Sequence, residues 1–262
     1  MDVSGKIALV TGGGRGIGKG CALELAKGGA DIILNDKPGS PDLAGAADEI
    51  RALGRQCWDF EDDAFSREGC QQLLASALEA AGRVDILVSN PAFSQRGDAL
   101  DYDPEIWEKT MQGTLTAGYH ISQLVANHMV ERGGGGKIVF ITSIHGRMPI
   151  ARAVAYNAAK AGLEHLTRSL AVEYAPHRIN VNAVAPGWID TPGERETFSA
   201  DDMKNEGKKI PWGRLGVPAD IGKAATYLCS DAADYVTGVV LPVDGGIWFG
   251  WCSGQPKPVD QL

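Results

Sequence analysis

The sequence lacks several features that would assign it to a membrane, secreted or nucleic-acid-binding class. No uninterrupted apolar run approaches the length of a membrane span. The N-terminal residues contain no basic segment followed by an apolar stretch, so we expect no signal peptide. The five cysteines form no Cys-x-x-Cys pair and show no ligand spacing with the five histidines, so we expect no metal site and reduced thiols in the cytoplasm. The net charge of −8 disfavours nucleic acid or an anionic membrane as partner.

The 262 residues alternate short apolar runs with longer segments of helical periodicity. Most of the runs are continuous in Ile, Val and Leu, which is typical of strands covered on both faces. Strands are expected at 6–11, 31–35, 56–59, 84–89, 137–142, 178–183 and 238–243, with helices near 16–28, 41–53, 66–81, 105–132, 155–175 and 218–230. This order predicts an α/β fold in one domain of residues 1–262, a doubly wound parallel sheet of about seven strands with helices on both faces.

Three segments depart from the alternation. Residues 187–214 are polar and turn-rich, and a loop of that length predicts a lid over a binding site. Four glycines at 133–136 predict a helix stop and a turn rather than a linker. The C-terminal tail, about 247–262, holds three aromatic residues that either form a partner surface or pocket wall or pack on the chain's own core.

A glycine-rich turn follows the first predicted strand. The spacing within residues 11–18 is G-x-x-x-G-x-G, and a helix follows, so backbone N–H groups can stabilise a dinucleotide pyrophosphate. Asp36 ends the second strand, where a carboxylate accepts hydrogen bonds from both ribose hydroxyls and repels a 2′-phosphate. Arg15 and Lys37 can instead pair with that phosphate. The sequence therefore favours NAD(H) and leaves NADP(H) open.

A second chemical signal combines Tyr156, Lys160 and Ser143. Residues four apart share a helix face, so Lys160 is expected one turn from the Tyr156 phenol. A cationic neighbour favours phenolate, and we therefore expect the pKa of Tyr156 to be lowered. With a hydroxyl donor nearby, the pair can move a proton on and off an alcohol or carbonyl oxygen. Taken alone, the same spacing also fits a surface lysine beside a half-buried tyrosine.

Six motifs, in order over nearly the whole chain, resemble the short-chain dehydrogenase/reductase family. They are the turn at 11–18, Asp59, the group of Ser143, Tyr156 and Lys160, the segment 186–191, the segment 213–218, and Thr237-Gly238 with Asp244-Gly245-Gly246. The resemblance implies a Rossmann-type fold and a nicotinamide-dependent interconversion of a secondary alcohol and a carbonyl. Tyr156 would be the general acid/base and Ser143 would hold the reacting oxygen. Lys160 would favour the phenolate and bind the nicotinamide ribose.

The resemblance also implies the cofactor contacts. Asp59, with Phe60 beside it, would meet the adenine, and the segment 184–191 would line the nicotinamide. The residues assigned to the cofactor are Gly12, Gly14, Arg15, Gly16, Ile17, Gly18, Asp36, Asp59, Phe60, Asn90, Pro91, Tyr156, Lys160, Pro186, Gly187, Ile189 and Thr191.

Two positions depart from the family pattern. The Asn that usually joins a proton relay in the long helix is Thr114 here, so Thr114 is a candidate catalytic residue. Gln112 could compensate only if the helix geometry differs. After the fourth strand, Asn90 is followed by Pro91 and Ala92, which remove a backbone donor and add a methyl group where Gly permits close approach. We expect these changes to affect rate rather than fold.

The substrate is indicated less directly. The segment 186–198 resembles the lid of glucose 1-dehydrogenase-type sugar dehydrogenases, with Trp188 and His145 as candidate substrate contacts. A sugar, polyol or similar hydroxylated small molecule is the leading prediction. A 3-oxoacyl thioester reductase and a cofactor-binding regulator with little turnover are the alternatives. Because relatives commonly form tetramers through the two long helices, near 105–132 and 155–175, and the closing strand, the resemblance also implies a homotetramer.

Overall fold

The fold is built on seven parallel strands, as the computed structural model describes it for residues 1–249. The strands are β1 (Ile7–Val10), β2 (Asp31–Asp36), β3 (Cys57–Glu61), β4 (Ile86–Ser89), β5 (Gly136–Ile141), β6 (Ile179–Pro186) and β7 (Val240–Val243). They form one sheet in the order β3-β2-β1-β4-β5-β6-β7, and each neighbouring pair is parallel. The predicted doubly wound α/β fold is confirmed, while the tail from residue 250 onward lies outside the described residues.

Helices cover both faces of the sheet. They are α1 (Gly16–Lys27), α2 (Leu43–Ala52), α3 (Arg67–Ala81), α4 (Pro104–Met111), α5 (Ala117–Arg132), α6 (Val154–Tyr174), α7 (Pro192–Thr197), α8 (Ala200–Gly207) and α9 (Pro218–Cys229). Along β1, Ala8 and Val10 join the core under α1, α2 and α9, whereas Ile7 and Leu9 join the core under α3, α5 and α6. This alternation explains why the strands read as continuous apolar runs, since both faces are buried.

The strand order positions the site. β1 pairs with β2 on one side and with β4 on the other. The strand order therefore runs outward from β1 in both directions, which makes the space between β1 and β4 a topological switch point. Ligands of open α/β sheets bind outside the carboxyl ends of the strands at such a switch point. The turn after β1, the loop after β4, Ser143 after β5 and Gly187 after β6 all begin at this edge.

The helix predicted for 105–132 is interrupted, which corrects the expectation of one continuous element. A π-helical turn, Gln112–Thr116, separates α4 from α5. Gly113 packs against the ring of Phe65, where a Cβ would stand 2.7 Å from a ring carbon, and Thr114 is buried and hydrogen-bonded to Phe93. Both contacts involve segments distant in the chain, so the pattern of residues 105–132 alone does not reveal them. Such π-helical turns are frequent at functional sites.

The segment predicted as a polar lid loop contains two short helices. Thr191 caps α7 by accepting the Glu194 N–H, and Ser199 caps α8 by accepting the Asp202 N–H, as expected for hydroxyl N-caps. The segment also has a small apolar core of its own, formed by Trp188, Phe198, Met203, Ile210, Leu215 and Ile247. The turn after α5 is confirmed, since Gly133 ends that helix at φ 75°.

Three expectations about chemistry and location concern the described part of the chain. No helix within residues 1–249 combines the length and apolar character needed to cross a membrane. The four cysteines of this part are buried free thiols, and it contains no cluster of three or more His, Cys, Asp or Glu suited to a metal. The cytoplasmic location and the absence of a nucleic-acid partner stay predictions.

Asp85 joins three elements and generates a stability prediction. Its carboxylate accepts the Ile7 N–H at 2.9 Å and is paired with Arg83 at 2.9 Å and Arg132 at 3.0 Å, while only 7% of the residue is exposed. We expect Asp85→Ala to lower the free energy of unfolding by about 3 kcal/mol, because it leaves the buried Ile7 N–H unsatisfied and removes the buried carboxylate that pairs with Arg83 and Arg132. Urea denaturation measures this loss.

The matched controls are Asp85→Asn, which keeps one acceptor oxygen and should lose less, and Asp101→Ala at an exposed position. A loss from Asp85→Ala below about 0.5 kcal/mol, the ordinary range of surface substitutions, would contradict the assigned role.

Candidate active site

The glycine turn after β1 leaves no side chain in the space above the switch point. Gly16 has φ 57°, a left-handed conformation that favours glycine. A Cβ on Gly18 would overlap the carbonyl oxygen of Gly12, so the turn must close without side chains there. Ile17 points into the core under α1. The turn therefore presents backbone groups at the N-terminus of α1, which is the arrangement that binds a pyrophosphate.

Asn90 braces this turn from the neighbouring strand. Its side-chain amide donates to the Gly12 carbonyl at 3.0 Å, and its backbone N–H donates to the Thr11 hydroxyl at 3.3 Å. Pro91 follows directly, with its Cα 3.7 Å from the position of a Cβ on Gly12. Asn90 and Pro91 thus lie beside the turn, as the sequence predicts for cofactor contacts.

The carboxylate of Asp36 lies at the end of β2 beside Gly14. It accepts the Lys37 N–H at 2.9 Å and the Ser40 hydroxyl at 2.7 Å, and a Cβ on Gly14 would overlap it. Arg15 reaches the lid instead, where its guanidinium donates to Glu196 at 2.8 Å. Arg15, one of the two cations that could bind a 2′-phosphate, is therefore paired with a carboxylate.

Ser143, Tyr156 and Lys160 lie together at the carboxyl edge of the sheet. Lys160 is 2% exposed, and its ammonium donates to the Ile141 carbonyl at 2.8 Å. This bond holds α6 against the end of β5, two residues before Ser143. The Lys160 Nζ is 5.5 Å from the centre of the Tyr156 ring. The Ser143 hydroxyl accepts the His145 N–H at 3.1 Å and lowers the pKa of the Tyr156 phenol.

The pKa of Tyr156 shifts in the direction opposite to the one expected from the sequence. Burial raises the pKa of the Tyr156 phenol to about 12. Ser143 lowers this pKa by hydrogen bonding, and the negative charge of Glu194 raises it. Burial lowers the pKa of Lys160 to about 7. The expected lowering of the Tyr156 pKa is wrong for the protein alone, because removal from water outweighs the lowering by Ser143.

Thr114 holds the loop after β4. Its hydroxyl donates to the Phe93 carbonyl at 2.9 Å and accepts the Phe93 N–H at 3.1 Å. The Gln112 amide donates to the Phe65 carbonyl at 2.6 Å, so it is bound away from the position of the missing Asn. The part of Thr114 in catalysis stays a prediction.

Asp59 and Phe60 also lie elsewhere than expected. Both are within β3 rather than beyond its end, because the strand continues to Glu61. The Asp59 carboxylate pairs with Arg51 on α2, and Phe60 packs against the core under α3. The residues that follow the strand are Asp62 and Asp63, which the sequence analysis missed, although the Asp63 carboxylate accepts the Phe65 N–H at 3.0 Å in a turn that marks the strand end.

The segment after β6 and the turn after Ser143 are held by local contacts. Ile189 is buried and pairs with Gly216, and Gly187 touches Asp244, with no room for a Cβ. The His145 ring lies 3.0 Å from the Met148 carbonyl through Nδ1. The Trp188 indole donates to Glu194 at 2.8 Å, a carboxylate that sequence reasoning missed because nothing in its spacing marks it.

These residues fit a dinucleotide. The carboxylate at the end of β2, the turn of backbone groups after β1 and the Ser143–Tyr156–Lys160 group beside the end of β5 lie in that order along one edge of the sheet. This order matches the adenosine ribose, the pyrophosphate and the nicotinamide of a cofactor extended across the switch point.

Comparisons with known proteins agree with this geometry. A family model described as "Enoyl-(Acyl carrier protein) reductase" matches residues 12–248. The chain is 36% identical to 2-dehydro-3-deoxy-D-gluconate 5-dehydrogenase of Escherichia coli K12, covering 94% of this chain and 96% of the relative. It is 33% identical to glucose 1-dehydrogenase 2 of Bacillus subtilis 168, with the same coverage.

Among solved structures, a short-chain type dehydrogenase/reductase from Mycobacterium marinum is similar, with a TM-score of 0.87 and 34% identity over 94% of this chain and 96% of that one. These matches cover nearly the whole chain at identities of 33–36%, which is more similarity than a shared fold alone requires. The chain belongs to the short-chain dehydrogenase/reductase family and is an NAD(P)-dependent oxidoreductase of alcohol and carbonyl groups.

Proposed function

We propose that the protein interconverts a secondary alcohol and a carbonyl in a sugar, polyol or similar hydroxylated small molecule, with NAD(H) as the preferred cofactor. The observation that carries the proposal is the grouping of Ser143, Tyr156 and Lys160 beside the glycine turn at residues 11–18. The reaction class follows from the family, whereas the substrate and the residue roles are proposed.

Tyr156 is the group that transfers the proton. At neutral pH its phenol is protonated, since burial raises its pKa to about 12, so it can donate to a carbonyl oxygen during reduction. Ser143 holds that oxygen with a preorganised hydroxyl. Lys160 has a pKa near 7, so a modest change in its surroundings shifts its charge and with it the proton affinity of the phenol.

The cofactor is held by the residues described above. Backbone groups of the turn at 11–18 would bind the pyrophosphate, Asp36 the adenosine ribose, and Lys160 the nicotinamide ribose. When bound, the cofactor supplies or accepts the hydride. Thr191, whose side chain approaches Gly16, would close the lid over the nicotinamide side.

The substrate class rests on the relatives and on the lid. Two of the similar proteins are named for a sugar and a sugar acid. His145 lies next to the catalytic group, since its backbone N–H donates to the Ser143 hydroxyl at 3.1 Å. A nicotinamide absorbance assay over sugars, sugar acids, polyols, ketones and acetoacetyl-CoA separates the candidates. Turnover of the thioester alone would favour the 3-oxoacyl reductase, and NADH binding without any turnover would favour a regulator.

We also propose a homotetramer. Apolar side chains are exposed on the two long helices, namely Tyr119 and Val130 on α5 and Val172 on α6. Exposed apolar groups on neighbouring helices support burial against further copies of the chain.

The general acid/base role of Tyr156 gives the first functional prediction. We expect Tyr156→Phe to reduce kcat at least about 100-fold, the lower range for loss of a positioned proton donor, while NADH affinity stays within about twofold. Steady-state kinetics and NADH fluorescence titration measure the two quantities. The matched control is Tyr235→Phe, because Tyr235 is fully exposed. Full activity of Tyr156→Phe would remove Tyr156 from the mechanism.

The buried amine of Lys160 predicts a pH dependence of stability. Its folded-state pKa of about 7 lies below the usual value of 10.5, so between these values the unfolded chain binds more protons and stability rises with pH. From pH 7 to pH 9 the wild type should gain about 2 kcal/mol more than Lys160→Met. Urea denaturation of both proteins at the two pH values measures the difference. An equal gain in both proteins would show that Lys160 is not desolvated.

The cofactor preference depends on Asp36. We expect Asp36→Asn to lower the ratio of kcat/KM with NAD(H) to kcat/KM with NADP(H) by about 10- to 100-fold. The neutral amide loses the charge-assisted hydrogen bonds to the ribose of NAD(H), and it no longer repels the 2′-phosphate of NADP(H). The control is Asp48→Asn, an exposed change on the neighbouring helix α2. An unchanged ratio in Asp36→Asn would contradict contact between Asp36 and the ribose.

A further inference from the structure

The ion pair between Arg15 and Glu196 joins the glycine turn to the lid. The Arg15 guanidinium donates to the Glu196 carboxylate at 2.8 Å, although the two residues are 181 positions apart in the chain. The lid approaches the turn at a second point, since the Thr191 Cβ lies 3.6 Å from the position that a Cβ on Gly16 would take. These two contacts place α7 beside the turn that is proposed to hold the cofactor.

Among the residues that the structure describes, Glu196 is the lid carboxylate that pairs with a cation outside the lid. The other paired carboxylates of the segment 187–214 bind groups within it: Asp190 pairs with Arg195, Glu194 accepts the Trp188 indole N–H, Asp202 accepts the Ser199 hydroxyl, and Glu206 pairs with Lys209. Glu196 is therefore the carboxylate through which the lid acts on the side chain of the glycine turn.

Arg15 lies between two carboxylates on the ribose side of the turn. Its Nε is 3.9 Å from the carboxylate of Asp42, the residue before α2, and its terminal nitrogen is bound to Glu196. The residue before it, Gly14, has no room for a Cβ, because a Cβ there would overlap the Asp36 carboxylate. Since Asp36 is the proposed partner of the adenosine ribose, the Arg15 side chain starts within reach of a phosphate on that ribose.

We infer that Glu196 selects against NADP(H) by holding the Arg15 guanidinium away from the 2′-phosphate. The inference rests on the proposed function and assigns part of its cofactor preference to a residue of the lid. The carboxylate and the phosphate compete for the same N–H donors, because both bind guanidinium through charge-assisted hydrogen bonds. The two side chains are 49% and 64% exposed, and an exposed ion pair shifts an equilibrium by up to about fivefold. Glu196 therefore adds a smaller contribution to the repulsion by Asp36.

Fluorescence titration with NADPH and with NADH tests the inference without a known substrate. The variants are Glu196→Ala, Arg15→Gln and the double variant. We expect Glu196→Ala to lower the Kd of NADPH about three- to fivefold, because the guanidinium is released, while the Kd of NADH stays within about twofold. Arg15→Gln alone should change the Kd of NADPH by less than about twofold, since in the wild type the guanidinium is already occupied. In the double variant the gain for NADPH should vanish.

The matched control is Asp201→Ala on α8, which removes an exposed carboxylate elsewhere in the lid and should leave both Kd values unchanged. An equal gain for NADPH in this control would assign the effect to the net charge of the lid and overturn the inference. A gain that persists in the double variant would assign the phosphate to Lys37, the other cation of this region, and overturn it as well. Equal changes for NADH and NADPH in Glu196→Ala would show that Glu196 only holds the lid closed, which also contradicts the inference. Failure of the wild type to bind either nucleotide would instead overturn the proposed function.

Discussion

The hydrogen bond from the Lys160 ammonium to the Ile141 carbonyl is the contact on which the site depends. It spans 2.8 Å between a side chain that is 2% exposed and the last residue of β5. Since Ser143 lies two residues beyond Ile141 and Tyr156 one helical turn before Lys160, this bond sets the distance between the hydroxyl and the phenol. Gly146 packs against the same helix near Lys160, which closes the turn after Ser143 over α6.

The same burial determines the protonation states. A buried amine has a lowered pKa and a buried phenol has a raised one, so the pKa values of Lys160 and Tyr156 move apart, to about 7 and about 12. Environments that shift the pKa values of paired groups in this way are typical of acid/base sites. The protein alone therefore presents a protonated phenol, and the charge that activates it as a base must come from changes at Lys160 and from the bound ligands.

The sequence predicts the features that depend on local pattern. All seven strands lie within a few residues of their expected bounds, and burial on both faces makes inner strands such as β1 and β4 apolar or nearly so. The glycine turn and Asn90 lie where their order in the chain implies. The π-helical turn could not be predicted, because it depends on contacts of Gly113 with Phe65 and of Thr114 with Phe93. The position of Asp59 was misjudged for a related reason, since the strand extends to Glu61, and its contact with adenine stays a prediction.

The sign of the pKa shift of Tyr156 and the position of Glu194 were also out of reach of the sequence. Spacing shows which residues share a helix face, but the extent of desolvation depends on what the rest of the chain packs over them. Glu194 is held by the Trp188 indole and by the Thr191 hydroxyl at the start of α7, contacts that its sequence pattern does not reveal.

The most direct test of the central claim is a crystal structure of the protein with NADH. The account predicts the pyrophosphate on the backbone of residues 12–18, the adenosine ribose hydroxyls on Asp36, and the nicotinamide ring beside the Tyr156 hydroxyl with its ribose on Lys160. A nicotinamide bound away from Tyr156, or a pyrophosphate that does not touch the glycine turn, would contradict it.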